Sequence, residues 1–393
     1  MLSGDTDGYL SPCGCTSPMQ GGMKRRATAL RVKGERVVRL DNGGLVGGTD
    51  RQGLLKAYTA AQAAEASKID AVNLNSGDAG TGEGTVLALA SLSGHRLVST
   101  SLRPSATTPV DPWRAAGPFL IGGATARPAA VAARLREAVD PPEAAARRLA
   151  DEAQGRGLEP ILLFDGDREA ARALAREVPA LRLVTYRSTA HPRAGLDSEG
   201  TCALATPGER GKAVIRLAWR EGAFVSATPS TLGPDWPDDP AAKDLYDRYL
   251  RTVTREGLLD KLPHSQERFA GSARCAPCHA EATHVWARSD HFHALRTLER
   301  DGHGRDPECV PCHVVGSARG QTLLPKLAFR SREATPALAN VGCESCHGAG
   351  AAHAAAPRRF ALPKASANVC LPCHTLENSP NFDFAKYWAR IRH

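Results

Sequence analysis

Long hydrophobic runs are missing from this chain. Nowhere in its 393 residues do about eighteen apolar residues follow one another, which excludes a bilayer-spanning helix in the sequence pattern. Aromatic residues make up only 5% and Met occurs three times, and no basic stripe is interleaved with aromatics, so no nucleic acid is expected as a partner. Neither sign of charge dominates. Fifty Lys and Arg against 42 Asp and Glu leave a formal +8, a mild surplus that fits solubility or the compensation of an anionic ligand. Met1 to Tyr9 contain neither a basic nor an apolar stretch, so no signal peptide is visible. The length suits two or three domains.

Cysteine is scarce over the first two thirds, where only Cys13, Cys15 and Cys202 occur, and abundant afterwards. The other eight of the eleven lie between Cys275 and Cys373. They form four pairs, each followed at once by histidine: Cys275-Ala-Pro-Cys278-His279, Cys309-Val-Pro-Cys312-His313, Cys343-Glu-Ser-Cys346-His347 and Cys370-Leu-Pro-Cys373-His374. Two thiols separated by two residues can add across the vinyl groups of a haem, and the next histidine reaches the iron as proximal ligand. Structural zinc or a disulfide framework would not require a histidine after every pair. The expectation is four covalently bound haem c groups.

Each iron has a sixth position, and histidines outside the motifs are its candidates. His291, His353 and His393 stand first, followed by His303 and His293, with His284 and His264 set aside. Glu281 to Arg300 reads as a helix from which His291 projects, with Trp286, Leu295 and Leu298 on or near its apolar side. Gly348-Ala349-Gly350 forms a turn able to swing His353 toward a neighbouring haem. With three distal histidines, one iron would be five-coordinate and open to a small molecule.

The stretch from Cys275 to His393 resembles the tetrahaem cytochrome family that includes the nitrifiers' electron carrier for hydroxylamine oxidoreductase. The residues that carry the likeness are Trp286-Ala287-Arg288-Ser289-Asp290-His291, Asp306-Pro307-Glu308-Cys309, Asn340-Val341-Gly342-Cys343-Glu344-Ser345-Cys346-His347-Gly348 and Ser379-Pro380-Asn381-Phe382-Asp383-Phe384. The resemblance implies electron transfer in the periplasm through closely packed haems, most of them bis-histidine. First cysteines 34, 34 and 27 residues apart leave no room for an inserted domain.

Residues 1–260 alternate strand-like and helix-like runs. Arg36–Leu40, Ala71–Leu74, Arg96–Ser99, Phe119–Ile121, Pro160–Phe164 and Leu181–Thr185 read as strands. Leu54–Ser67, Pro128–Val139, Ala144–Gln154 and Arg168–Val178 read as amphipathic helices. This predicts an α/β domain with a buried sheet. Three strand-like runs between Thr201 and Ser226 suggest an antiparallel edge or a second sheet. A helix over Ala241–Leu259 then leads into the motif region. The expected organisation is a domain over 1–240, a linker helix over 241–263, and a mainly α, haem-packed domain over 264–393.

The first of these resembles the 5′-nucleotidase-like branch of the metallophosphoesterase superfamily, which implies layered sheets with flanking helices. The likeness rests on Gly4-Asp5-Thr6-Asp7-Gly8-Tyr9, Pro12-Cys13-Gly14-Cys15, Gly21-Gly22-Met23-Lys24-Arg25-Arg26, Ile69-Asp70-Ala71-Val72-Asn73-Leu74, Arg182-Leu183-Val184 and Pro207-Gly208. Active members bind two metals, and here most donors differ. Asp7 stands where a histidine belongs, Asp41-Asn42-Gly43-Gly44 replaces a Gly-Asp, and Asn75-Ser76-Gly77-Asp78 replaces a Gly-Asn-His. Phe164-Asp165 and Ser188-Thr189-Ala190-His191 retain one late histidine. A non-catalytic relative is therefore expected. Cys13 and Cys15, with Cys202, read either as a structural disulfide or as a soft-metal or redox-active set.

Together these readings describe an exported tetrahaem electron carrier with a docking domain. The alternatives are a multihaem oxidoreductase acting on a small nitrogen or sulfur species at an open haem, and a metallophosphoesterase with an accessory cytochrome domain. Its partners would be redox proteins that donate and accept electrons, with association to a membrane surface left open. Haem attachment takes place outside the bacterial cytoplasm, so export is expected, with a truncated or misassigned start. Mass spectrometry of protein matured by haem-attachment machinery should show four haem additions, and three after Cys309 and Cys312 are both changed to Ala. Fewer than four on the unaltered chain would contradict the motif count.

Overall fold

Ile161-Leu162-Leu163-Phe164 is apolar at every position, so as a strand it needs cover on both faces. The computed structural model, which describes residues 1–12, 18–32, 36–103, 106–318, 326–376 and 378–393, provides it. Ile161 and Leu163 face a core shared with Leu2, Leu40, Ala71, Val98, Phe119, Ile121 and Leu183. Leu162 and Phe164 face the other way, onto Leu149, Ala153, Leu174 and Ala175 of two helices. The period of two along the strand thus separates two cores.

The chain divides into two compact units, and among the described residues the boundary lies between Tyr249 and Leu250, inside the helix Pro240–Arg255. In the first unit the strands are β1 (Leu2–Ser3), β2 (Leu40–Asp41), β3 (Ala71–Asn73), β4 (Leu97–Val98), β5 (Trp113–Ala116), β6 (Phe119–Thr125), β7 (Glu159–Asp165), β8 (Leu183–Thr185), β9 (Asp197–Glu199), β10 (Cys202–Ala205), β11 (Ala213–Arg220) and β12 (Ala223–Thr231). They form two six-stranded sheets, ordered β12-β11-β1-β2-β3-β4 and β5-β6-β7-β8-β10-β9. The chain is parallel through β1-β2-β3-β4 and β6-β7-β8-β10, while β11-β12 is an antiparallel edge pair. Phe119 links the layers by packing on Trp219 and Phe224, with ring centroids 5.1 and 5.8 Å away.

Helices flank these sheets as amphipathicity requires. Arg51–Ala66 buries Ala57, Ala60, Ala61 and Ala64, the i, i+3, i+4, i+7 pattern of one face. Asp50 caps it by accepting from the Gly53 N–H, and Asp167 does the same for Arg168–Glu177 through Ala170. The strand expected over Arg36–Leu40 is only Leu40–Asp41. The helix expected over Pro128–Val139 stops at Leu135, where Arg136 turns left-handed at φ 57°. Short helices at Met23–Leu30 and Glu83–Leu92 lie in glycine-bordered stretches, the first burying Met23, Ala27 and Leu30 at helical spacing.

Among the described residues of the second unit, a small apolar core is built on Leu259, Leu262, Leu295, Val310, Val315, Leu327 and Phe329. The single helix expected over Glu281–Arg300 is broken into Ala280–Ala287, a 3-10 turn Asp290–His293, and Ala294–Arg300. The cause is local: Ser289 is extended at ψ 159°, and its hydroxyl donates to the Trp286 carbonyl at 2.7 Å. His291 therefore sits on the turn and not on a helix. The helices Ala280–Ala287, Ala351–Ala355, Ala367–Cys370 and Phe384–Trp388 bury none of their side chains. Among the described residues no helix is long and apolar enough to cross a membrane.

Candidate functional site

The four motif histidines start or end short turns and helices, because Cys-x-x-Cys-His occupies little more than one helical turn. Three of them face a histidine from elsewhere in the unit. His279 lies opposite His353 with ring centroids 6.3 Å apart, His374 opposite His291 at 6.3 Å, and His347 opposite His393 at 5.9 Å. Two metal–nitrogen bonds of about 2 Å plus half an imidazole on each side span about 6 Å, so each gap has the width for one iron. The donor set fits a haem.

Tautomers support the same orientation. The Nδ1 of His313 contacts the Ala294 carbonyl at 2.6 Å, that of His347 the Pro363 carbonyl at 3.0 Å, that of His353 the Phe360 carbonyl at 2.6 Å, and that of His393 the Ile391 carbonyl at 3.0 Å. A carbonyl only accepts, so each Nδ1 carries the proton and each Nε2 keeps its lone pair for a metal. Burial holds the His291 pKa below the usual value, with His374 adding to the effect, and burial lowers that of His374 too. Both shifts favour the neutral ring, the form that ligates a metal.

His303 is placed differently. Its Nδ1 lies 3.1 Å from a carboxylate oxygen of the buried Asp306 and 3.8 Å from the Cys309 sulfur, so it borders the second cysteine pair at its attachment point. The thiols are neighbours across motifs as well. Burial first, and then the adjacent Cys343 sulfur, pushes the Cys275 thiol up to about 11, and burial raises Cys346 to about 11. His284 and His264 are in none of the facing pairs: His284 is on the exposed helix Ala280–Ala287, and His264 bridges to Leu327. Trp286 donates its indole N–H to the Val341 carbonyl at 2.7 Å, and the Leu295 N–H reaches Asn340 Oδ1 at 3.0 Å, which ties the His291 turn to the segment before the third motif.

A second cluster occupies the first unit, at the carboxyl ends of β1, β2, β3, β7 and β8. Gly4, at φ 130°, allows the backbone to pass Asn42, whose nitrogen would lie 2.4 Å from an added Cβ. Asp5 and Asp7 follow, both left-handed at φ 48° and 45°. The side chain of Arg187, just beyond β8, lies among three carboxylates: Nε is 3.2 Å from Asp5, Nη2 2.8 Å from Asp7 and Nη1 3.5 Å from Asp165. Asn42 donates to Asp5 at 3.1 Å and accepts from the Thr185 hydroxyl. Asp78 accepts from the Gly44 and Val46 N–H groups at 3.0 and 2.8 Å, and burial pushes its pKa up to about 7. Asp41 pairs with the buried Arg26 at 2.9 Å. His191 meets Thr231 at 3.0 Å. The carboxylates thus converge around a guanidinium, and this arrangement does not fit a pair of metal ions, because a fixed cation already stands between the donors.

Arg187 escaped the sequence reading because its partners are scattered along the chain, Asp7 lying 180 positions before it. Glu344 escaped it too, although it is the one acid between paired cysteines where the other motifs have Ala-Pro, Val-Pro or Leu-Pro. Cys202 is a buried free thiol pushed up to about 12 by desolvation, which marks it as an inert core residue. Cys13 and Cys15 lie outside the described residues.

Residues 274–348 match the family model described as cytochrome c554 and c-prime. The chain is similar to cytochrome c-554 of Nitrosomonas europaea, at 29% identity over 97 residues, 21% of this chain and 39% of that protein. It is also similar to the C-type polyheme cytochrome OmcB of Geobacter sulfurreducens, at 40% identity over 93 residues, 22% of this chain and 12% of that one. It therefore spans well under half the length of either relative. Among solved structures, a 5′-nucleotidase precursor from Thermus thermophilus shares the fold at a TM-score of 0.53 and 16% identity, over 77% of this chain and 67% of the other.

The Arg187 cluster generates a stability test. Arg187→Met removes the cation from three acids and should cost on the order of 2 kcal/mol in chemical unfolding at neutral pH. Without the guanidinium the buried carboxyls hold protons more tightly in the folded state, so the loss should shrink as pH falls through the carboxylate range. In the native chain Asp78 has a raised folded pKa, so its contribution is fully present below the ordinary carboxylate pKa and lost as pH rises to about 7. Asp78→Asn should flatten that decline in a series of unfolding curves taken from acid to neutral pH.

Proposed function

We propose that this chain, a multihaem c-type cytochrome segment fused to a 5′-nucleotidase-like unit of metallophosphoesterase type, is a periplasmic electron carrier with four haems. The observation that carries the reading is the set of three imidazole pairs at 5.9 to 6.3 Å, each with one motif histidine and one from outside the motifs. Bound haem supplies one-electron cycling of its iron. The chain's own residues do the rest. Cys275 and Cys278, Cys309 and Cys312, Cys343 and Cys346, and Cys370 and Cys373 anchor the groups covalently. His279, His313, His347 and His374 are the proximal ligands, and His353, His393 and His291 the distal ligands for the first, third and fourth. His303, beside the Cys309 sulfur, belongs to the surroundings of the second haem.

Imidazole on both sides of the first, third and fourth irons favours electron transfer over substrate chemistry at those three, since no coordination site is left there for a reactant. The axial pairs also cross-link distant parts of the sequence, so ligation and folding of this unit are coupled. We read the first unit as a non-catalytic docking domain. Its support is Arg187, a permanent cation held by Asp5, Asp7 and Asp165 where a hydrolytic relative would need free donors. Export is supported by the chemistry of haem attachment, and redox proteins that give and take single electrons are the fitting partners.

EPR and visible spectra of the purified holoprotein test the assignment. His291→Ala should turn one iron from low-spin to high-spin and open it to carbon monoxide or cyanide, because His374 loses its opposite ring. His284→Ala should leave the spin state unchanged. The reverse result would move the ligand to His284 and remove the pairing on which the reading stands.

A further inference from the structure

The buried acid of the third motif is not used by haem attachment or by any imidazole pair. Glu344 lies inside the one-turn helix Cys343–His347 and is 4% exposed. Its Oε1 accepts from the Ala270 N–H at 2.8 Å and the Gly350 N–H at 2.7 Å, and its Oε2 accepts from the Gly271 N–H at 2.7 Å. One carboxylate thus satisfies three backbone donors from two segments far apart in the sequence.

Both segments lead directly to one imidazole pair. Ala270 and Gly271 open the turn that delivers Cys275 and His279, and the Cys275 N–H bonds to the Ser272 carbonyl at 3.1 Å. Gly350 is the cap of the helix Ala351–Ala355, which carries His353. Two further bonds run alongside. The Cys343 N–H donates to Ser272 Oγ at 3.1 Å, and the Ala351 N–H to the Arg268 carbonyl at 3.2 Å. Close approach is built into the glycines. Gly271 is left-handed at φ 81°, and a Cβ on Gly350 would sit 3.1 Å from Glu344 Oε1.

We propose that Glu344 is the positioning residue for the His279–His353 pair, locking the first and third attachment sites against each other with its carboxylate. The inference rests on the imidazole-pair reading above. An acid suits this role better than an amide because every contact it makes is to a donor. In Glu344→Gln the side-chain NH2 must face at least one backbone N–H, so one arm of the clasp opens. The same charge, held in a dry site beside two haem anchors, favours the oxidised iron.

The test uses holoprotein and three variants, read by EPR and by potentiometric titration. His353→Ala identifies the signal of the first haem by converting one low-spin iron to high-spin; if no iron changes spin state, the pair reading itself fails, whatever Glu344 does. Glu344→Gln should alter that same low-spin signal and move its midpoint potential upward, while the signal of the His374–His291 pair stays as in the unaltered protein. Glu344→Asp, which keeps the charge, should retain more of the original potential than Gln does. A Glu344→Gln protein that only melts earlier, with unchanged spectra and potentials, would overturn the proposal and leave a purely structural acid. Should Glu344→Gln yield no holoprotein, Ser272→Ala decides: it loosens the companion bond to Cys343 and is expected to perturb the same signal, and an unperturbed signal there would likewise overturn the proposal.

Discussion

The second unit depends on imidazoles held one iron apart. Among the described residues its apolar core is small, and the helices Ala280–Ala287, Ala351–Ala355, Ala367–Cys370 and Phe384–Trp388, one of which carries His353, bury none of their own side chains. A protein segment of this kind gains little from hydrophobic burial alone. In the proposed assignment, covalent attachment and axial ligation would replace that burial with bonds between remote residues, as in small domains ordered by a metal. Around this constraint the backbone is arranged to present lone pairs: carbonyls of Ala294, Phe360, Pro363 and Ile391 accept hydrogen bonds from the Nδ1–H of four histidines. The local hydrogen bonds, trivial in energy one by one, decide which nitrogen faces inward.

The first unit is organised by the opposite means. Its two sheets and flanking helices bury two apolar cores, and carboxylates collected at the strand ends meet arginine side chains there. Arg187 draws Asp5, Asp7 and Asp165 together, and Arg26 holds Asp41 in a fully buried pair. Removing one partner from such a pair leaves an uncompensated charge in a low dielectric, which is why the arrangement persists once formed. Positive φ at Asp5 and Asp7 shows that the backbone there is shaped around the cluster and not around sheet geometry.

Much of this architecture was legible in residue order. The continuous apolar runs of β6 and β7 and the alanine stripe of Arg51–Ala66 report local packing, and the α/β class follows. Errors arose where a short-range signal outweighs the period. One extended residue, Ser289, broke a helix that the apolar spacing of Trp286, Leu295 and Leu298 suggests is continuous. Glu344 and Arg187 were invisible for a different reason: their partners lie between 6 and 182 positions away, and hydrogen-bond donors on the backbone leave no mark in a sequence.

Residue order by itself determined the cofactor chemistry and the alternation of strands and helices. Thioether formation needs only two thiols and a histidine at fixed spacing, and side-chain period is a property of the local backbone. Tertiary structure alone decided which histidine faces which, which nitrogen carries the proton, and which charge stands among the carboxylates at the strand ends. Those choices depend on distances between residues far apart in the chain, and such distances exist only once the intervening segments have packed.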